Sequence, residues 1–518
     1  MDRFCRTSAA WVPIKPEGAS CSCSEAAEEV GIYFLQDSEQ MFPESPIGMV
    51  NTAGCKTQRC SRSYIDRSNR NFQIHEFPED ILHKILSHLT FKEIAQTSIL
   101  SSTWRQAWRS YPDLNFCRVT LNLNNYIPHH TDDEKEFIMR VNKILEYHHC
   151  PRLERFKVNF GLHKGHKDHL DRWIGFAVDS KSKHIVLNLT PHPECLDDAY
   201  VFPLHLFQEY NSCFVESIRL VLVILRPPTG FCGLKNLKRI LLHRVIVWRD
   251  LNCVLSACAL LEHIRLSDCL LAGFTLCQQL VHLHHFTIEN CYVKSMELHA
   301  TNLISFHFQQ REMPVILDEL LLLKEATIET MSGSDNLDYS FSTLLNAMPN
   351  LERLSLSLYM IRETKGWAVS PRDFIHLRYL KMEIHLHGQV ECSSGLLRLV
   401  SLLEVAPLLE EMELHMCFCD VPITTLFNKL SKNRSRIQHS HLKTVYMTGF
   451  YGCKGQLELA RYILENATAL QRMTLDPISK MVHSKSLDAS MRLKELDGRR
   501  NAKSFLARQK FSQILTIL

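Results

Sequence analysis

From about residue 150 the chain repeats one short pattern, Leu-x-x-Φ-x-Φ with Φ apolar. The copies are Leu153-Phe156-Val158, Val215-Ile218-Leu220, Leu237-Ile240-Leu242, Leu261-Ile264-Leu266, Leu283-Phe286-Ile288 and Leu303-Phe306-Phe308. They continue at Leu323-Ala326-Ile328, Leu351-Leu354-Leu356, Leu377-Leu380-Met382, Leu409-Met412-Leu414, Leu442-Val445-Met447 and Leu470-Met473-Leu475, and a weaker copy with Ser182 in the first slot is Ile185-Leu187. From Val215 onward the starts lie 22, 24, 22, 20, 20, 28, 26, 32, 33 and 28 residues apart. Apolar residues two apart form one face of a strand. Each unit therefore has room for a strand and a return segment. One unit cannot bury its apolar face alone, whereas stacked units share a continuous core, so the pattern calls for a curved α/β solenoid with one parallel sheet. Cys269, Cys291 and Cys417 each follow the last apolar residue of their copy by three positions. A small donor there can bond the neighbouring turn as the chain leaves the strand.

Before the repeats the periodicity is helical. Pro78 stands at a helix start with Glu79 and Asp80 facing the positive end of the dipole. Ile81, Leu82, Ile85, Leu86 and Leu89 form one apolar stripe. A second short helix runs from Lys92 to Ile99, and Ser101 or Ser102 can cap a third that carries Trp104 and Trp108. Three helices in about forty residues have too small a core to stand alone, so a partner or a following domain must cover them. Residues 1–71 contain clusters such as Ser20-Cys-Ser-Cys-Ser24 and no sustained period, and read as a disordered leader.

Composition excludes more than it selects. Of 518 residues 45% are hydrophobic and 22% charged, which fits a packed core, and the net charge of +3 gives no reason to expect nucleic acid or membrane as a partner. No secretory signal or membrane span is legible, so the 19 cysteines are expected to be reduced thiols in a nuclear or cytoplasmic protein. Walker, GxGxxG, HExxH and GxSxG motifs are missing from the sequence, and no enzyme or cofactor is expected. His163, His166 and His169 are separated by Lys164 and Lys167, whose charges argue against a metal site.

The segment Phe77-Pro-Glu-Asp-Ile-Leu-His-Lys-Ile-Leu-Ser-His-Leu, ending in Ser101-Ser-Thr-Trp-Arg105, resembles the plant F-box, and the repeats resemble leucine-rich repeats. Phe77, Thr90 and Ser102-Thr103 depart from the usual F-box residues. Within 441–477, Gly449-Phe450, Leu457-Glu458-Leu459 and Ile463-Leu464-Glu465-Asn466-Ala467 resemble the FBD module of plant F-box proteins and read as a C-terminal cap. With the leader (1–71) and a basic tail (479–518) with nine Lys/Arg against three Asp/Glu read from composition, the chain divides further into an F-box (72–118) and a repeat solenoid (119–478). The resemblance implies a substrate-recognition adaptor that binds a Skp-type protein, and through it a cullin–RING ubiquitin ligase. Pro78, Ile81, Leu82, Ile85, Leu86, Leu89, Ile94, Ser98 and Leu100 are the implied adaptor contacts.

In each repeat the third, fifth and seventh positions face away from the core. Early units thus display Arg155, Lys157, Arg219, Arg239, His243, His263 and Arg265, and later ones Glu289, Glu325, Glu329, Tyr379, Glu383, Glu411, Glu413 and Tyr446. A face that is basic early and acidic later suits recognition of a target protein. Two alternatives stay open: a scaffold that binds without degrading, and a hormone-type receptor whose pocket loops occupy the widest late spacings.

Overall fold

A computed structural model describes residues 77–518 except 98, 100, 124–130, 191–197, 209–213, 273, 277–279, 311–314, 318–319, 331–346, 361–373, 388–395, 397–398, 420–436, 482–488 and 507–510. The leader, and within the late spacings considered for pocket loops residues 361–373, 388–395, 397–398 and 420–436, lie outside the described residues.

Every copy of the repeat pattern is a strand of one fifteen-stranded parallel sheet whose strands follow one another in chain order. The first Φ positions stack in register, Phe156 on Ile185, Ile218, Ile240, Ile264, Phe286, Phe306, Ala326, Leu354, Leu380, Met412, Val445 and Met473. This column is buried throughout. Each removed side chain would leave a cavity between two neighbours, so the column is the main source of cohesion. Backbone bonds add a second lock. The carbonyl of the motif's second residue accepts two amides of the following repeat, as when Glu216 O accepts from Lys238 N (2.8 Å) and Arg239 N (3.0 Å), and Lys238 O from Glu262 N (2.8 Å) and His263 N (3.0 Å). The same second positions alternate in charge along parts of the edge: Lys183 to Glu154 (2.7 Å), Lys238 to Glu216 (2.9 Å) and Glu410 to both Arg378 (2.6 Å) and Lys443 (2.5 Å).

Repeat length decides what backs the sheet. The short units between 215 and 323 return through two- or three-residue strands; with Tyr200–Val201 of the longer preceding unit they form a four-stranded sheet (Tyr200–Val201 to Leu270–Leu271) and a three-stranded one (Phe274–Leu276, Met296–Leu298, Val315–Leu317). Units of 20 to 24 residues have little room for a multi-turn helix after the strand and its turns. Longer units at either end return through helices, among them Thr131–Tyr147 and Lys167–Asp179 early and Leu399–Glu404 and Lys454–Asn466 late. The solenoid thus carries two small backing sheets besides its long parallel one. Among the described residues no helix is long and apolar enough to cross a membrane.

The position expected to hold a small donor behaves as anticipated in two repeats. Cys291 Sγ accepts from Cys269 N (3.4 Å), and the Cys269 thiol donates to Leu242 O of the preceding repeat (3.5 Å). Cys417 does not belong to this set. Strands lengthen to eight or nine residues in the late repeats, and Cys417 remains inside Glu411–Cys419, paired with His385.

Two strands lie outside the motif copies. Asp113–Cys117 opens the sheet, although the sequence reads it as the end of the helical segment. Leu515–Ile517 closes it, from within the basic tail. The 441–477 segment is therefore followed by a further helix, Ala489–Leu506, and a last strand, rather than ending the array. Close contacts between this segment and its neighbours require glycine at two positions. A side chain on Gly498 would meet Phe450 O at 2.3 Å, and one on Gly449 (φ +66°) would meet Met416 O at 2.0 Å. Fully buried Gln456 secures the loop from Gly449 to Cys453: its Oε1 accepts from Gly452 N (2.9 Å) and Cys453 N (3.3 Å), and its Nε2 donates to Gly449 O (2.8 Å). Replacing Gln456 by Leu keeps the volume but strands three buried backbone groups. The expected cost is about 3 kcal/mol, read as a lower urea midpoint of the full chain.

Candidate functional site

Two surfaces of the chain are candidate binding sites. The first begins with three short helices: α1 (Glu79–Leu86), α2 (Phe91–Thr97) and α3 (Ser102–Arg109). Pro78 caps α1, and Ser101 Oγ accepts from Trp104 N (3.3 Å) to start α3. Thr90 and Glu93 cap α2 reciprocally, with Thr90 N donating to Glu93 Oε2 (2.8 Å) and Glu93 N to Thr90 Oγ1 (3.4 Å). These bonds from Thr90 hold the Glu93 carboxyl below its ordinary pKa. The unusual Thr90 is thus a working helix cap.

The apolar stripe of α1 divides into two rows. Leu82, Leu86 and, from α2, Ile94 turn inward with Trp104 and Ala107 to make the small core of this unit. These three, expected as adaptor contacts, are not surface residues: Leu82 is 2% and Leu86 1% exposed. Ile81 and Ile85 remain outside at 42% and 36%, and Pro78 is exposed beside them. Leu89 is half-buried, while Ser98 and Leu100 lie outside the described residues. The sequence reading missed Ile99, which at 79% is the most exposed large apolar residue described.

What the solenoid covers is a different set. Phe91 stacks on Phe116 of the first strand (5.2 Å between ring centroids) and its amide donates to Thr120 O (2.8 Å). Trp108 meets the edge of His148 (6.0 Å), whose Nε2 donates to Tyr111 O (2.8 Å), and His149 N donates to Arg109 O (3.0 Å). The helical unit is thus bonded to the first repeats through Phe91, Trp108 and Tyr111, leaving Ile81, Ile85 and Ile99 in solvent.

The second surface is the open face of the long sheet. All fifteen residues singled out for it lie on strands there: Arg155, Lys157, Arg219, Arg239, His243, His263, Arg265, Glu289, Glu325, Glu329, Tyr379, Glu383, Glu411, Glu413 and Tyr446. Strand register brings several together. Glu289 accepts from Arg265 Nη2 (2.9 and 3.1 Å) and Ser267 Oγ (2.6 Å), with His307 Nε2 at 3.5 Å. Glu383 pairs with Lys381 (2.7 Å), and Glu413 with His415 (3.2 Å). Arg353 lies over the Tyr379 ring (4.1 Å) and Lys480 over Tyr446 (4.4 Å). Glu289 and Glu383 are therefore matched by cations of the face itself, whereas Glu413 meets a His415 ring that burial keeps neutral at pH 7. Arg219 and Arg239, by contrast, make no ion pair among the described residues.

Burial also sorts the histidines. It lowers His243 to about 4, with Arg244 nearby adding to the effect, and lowers His263, with His285 and Arg265 contributing. These rings are neutral at pH 7 and Arg265 is paired with Glu289, so the early basic character rests on Arg155, Lys157, Arg219 and Arg239. Burial, then the charges of Glu383 and Glu289, raises Glu329.

Comparison with known proteins matches residues 144–508 to the family model of the At1g61320/AtMIF1 LRR domain and residues 74–115 to the F-box domain. The chain belongs to the F-box/LRR-repeat proteins. The Arabidopsis thaliana F-box/FBD/LRR-repeat protein At3g26920 is 27% identical over 435 residues, covering 81% of this chain and 93% of that one. The F-box/FBD/LRR-repeat protein At1g13570 is 22% identical, covering 78% and 90%, and the putative F-box/FBD/LRR-repeat protein At5g44950 is 25% identical, covering 81% and 96%. The three helices and the opening strand are the F-box match of this F-box/LRR-repeat protein, and the stacked strands carry its LRR match.

The junction between F-box and repeats depends on pH. Burial lowers His148 from 6.5 to about 4. Below pH 6.5 the unfolded chain takes the proton first, so stability is lost as pH falls toward about 4. Between pH 7 and 5 this one ring accounts for about 2 kcal/mol. A His148→Gln variant keeps a donor toward Tyr111 O but does not titrate, and its melting midpoint should fall less over that interval.

Proposed function

We propose that this F-box/LRR-repeat protein is the non-catalytic recognition subunit of a Skp–cullin–F-box ubiquitin ligase, acting in the nucleus, the cytoplasm or both. The observation that carries the reading is the exposed pair Ile81 and Ile85, one turn apart on α1, together with exposed Ile99 after α2, although the F-box has a core of its own and a second face bonded to the repeats. Large apolar side chains left exposed on so small a unit favour a protein partner. A Skp-type adaptor is the partner that the F-box match implies, and a cullin–RING ligase would be reached through it.

The test is co-purification of the full chain with a Skp-type adaptor. Ile81→Asp with Ile85→Asp should cost at least ~2 kcal/mol in adaptor binding and leave the melting midpoint unchanged, because both side chains are exposed. Adaptor retained by that variant would sink the reading. Adaptor retained without cullin would instead make the chain a non-degradative scaffold.

On the sheet face, the early repeats would engage an acidic segment of the target through Arg219 and Arg239, aided by exposed Arg155. With the proteasome blocked, Arg219→Glu combined with Arg239→Glu should abolish target capture while adaptor binding stays intact. Unchanged capture by this variant would move the contact elsewhere on the solenoid.

A further inference from the structure

We propose that Glu134, His163 and His166 form a binding site for a first-row divalent cation, zinc in the first instance, on the helical side of the first repeats. The two histidines flank the tight turn Lys164–His166, with ring centroids 4.4 Å apart and planes inclined at 61°. Glu134 comes from the first turn of the Thr131–Tyr147 helix (α4), and its Oε2 lies 3.8 Å from His166 Nε2. One ligand atom from each residue lies within 4.8 Å of the other two. Two imidazole nitrogens and one carboxylate oxygen are a donor set that zinc accepts, with a fourth position left for water. Bonds of about 2.0–2.1 Å in a tetrahedron bring ligand atoms to about 3.4 Å from one another. The three side chains are part-exposed, at 19% for His166 and 28% for Glu134, so small rotations can close the gap.

The objection from the flanking lysines does not hold in the folded chain. Lys164 pairs with Asp198 (2.9 Å) and Lys167 lies 4.0 Å from Asp171, so each ammonium has a carboxylate of its own. The expected third histidine is not part of the site: His169 Nδ1 contacts Arg172 Nη2 (3.2 Å) and Asn142 Nδ2 (3.4 Å). The turn itself needs Gly165, since a Cβ there would meet His163 Cε1 at 2.7 Å. Gly165 N donates to His163 Nδ1 (3.1 Å), and coordination through either ring nitrogen gives up that one neutral bond. His166 Nδ1 is buried without a hydrogen-bond partner, and burial together with the neighbouring His163 keeps the ring neutral at pH 7, with a lone pair to offer.

The chelator-stripped full chain, titrated with CoCl2, should bind one equivalent with the visible bands of nitrogen and oxygen coordination and no thiolate charge-transfer band. ZnCl2 should displace the cobalt and raise the melting midpoint. Glu134→Gln and His166→Ala should each weaken binding roughly tenfold or more, whereas His169→Ala, close by in the same segment, should bind as the parent does. Glu134→Gln preserves shape, and so reads the site even if His166→Ala folds poorly. Absence of saturable binding, a thiolate spectrum that places the metal on cysteines, or full affinity in Glu134→Gln would each overturn the proposal.

Discussion

The backbone bond that joins each repeat to the next is the constraint on which the whole solenoid depends. A motif's second carbonyl accepts two amides of the following unit, which fixes register to the residue and stacks the buried Φ columns. A one-residue slip would turn every core side chain outward. The alternating charges at the same positions favour the same register, although exposed pairs add little individually. Such a ladder has two open ends, and both are covered from outside the repeat pattern. The F-box meets the first strand, and the helix Ala489–Leu506 with its strand closes the last.

The sheet was legible because Leu-x-x-Φ-x-Φ states the alternation of a strand and its recurrence states the stacking. Its two terminal strands escaped for a local reason. In the register of their neighbours, Tyr111 and Ser512 occupy the slots where leucine leads most of the other copies. Leu114-Phe116 and Leu515-Ile517 therefore lacked the residue that marks a unit. Cys417 was misplaced because the late strands run past the point at which earlier ones turn.

Within the F-box, residues i, i+1, i+4 and i+5 make a band wide enough to serve two neighbours, and periodicity cannot say which row faces which. Packing against Trp104 and Ala107 selects Leu82 and Leu86 for the core and leaves Ile81 and Ile85 outside. On the sheet face the residues themselves were readable, but their pairing was not. The join of Arg265 to Glu289 spans 24 residues, and its existence turns apparent acidity into an internal pair. Long-range contact likewise brings Glu134 to two histidines some thirty residues away.

Only Ser110, Tyr111 and Pro112 separate α3 from the opening strand, and Tyr111 O is itself bonded to His148. A link so short and so tied has no swivel. Whatever seats on Ile81 and Ile85 is held at a set angle to whatever lies on the sheet, and the number of repeats between them acts as a ruler. Inserting or removing one strand near the middle would shift a bound target by about 5 Å along the array and turn it by the twist between strands. Length in this solenoid is therefore a geometric setting as well as a supply of surface.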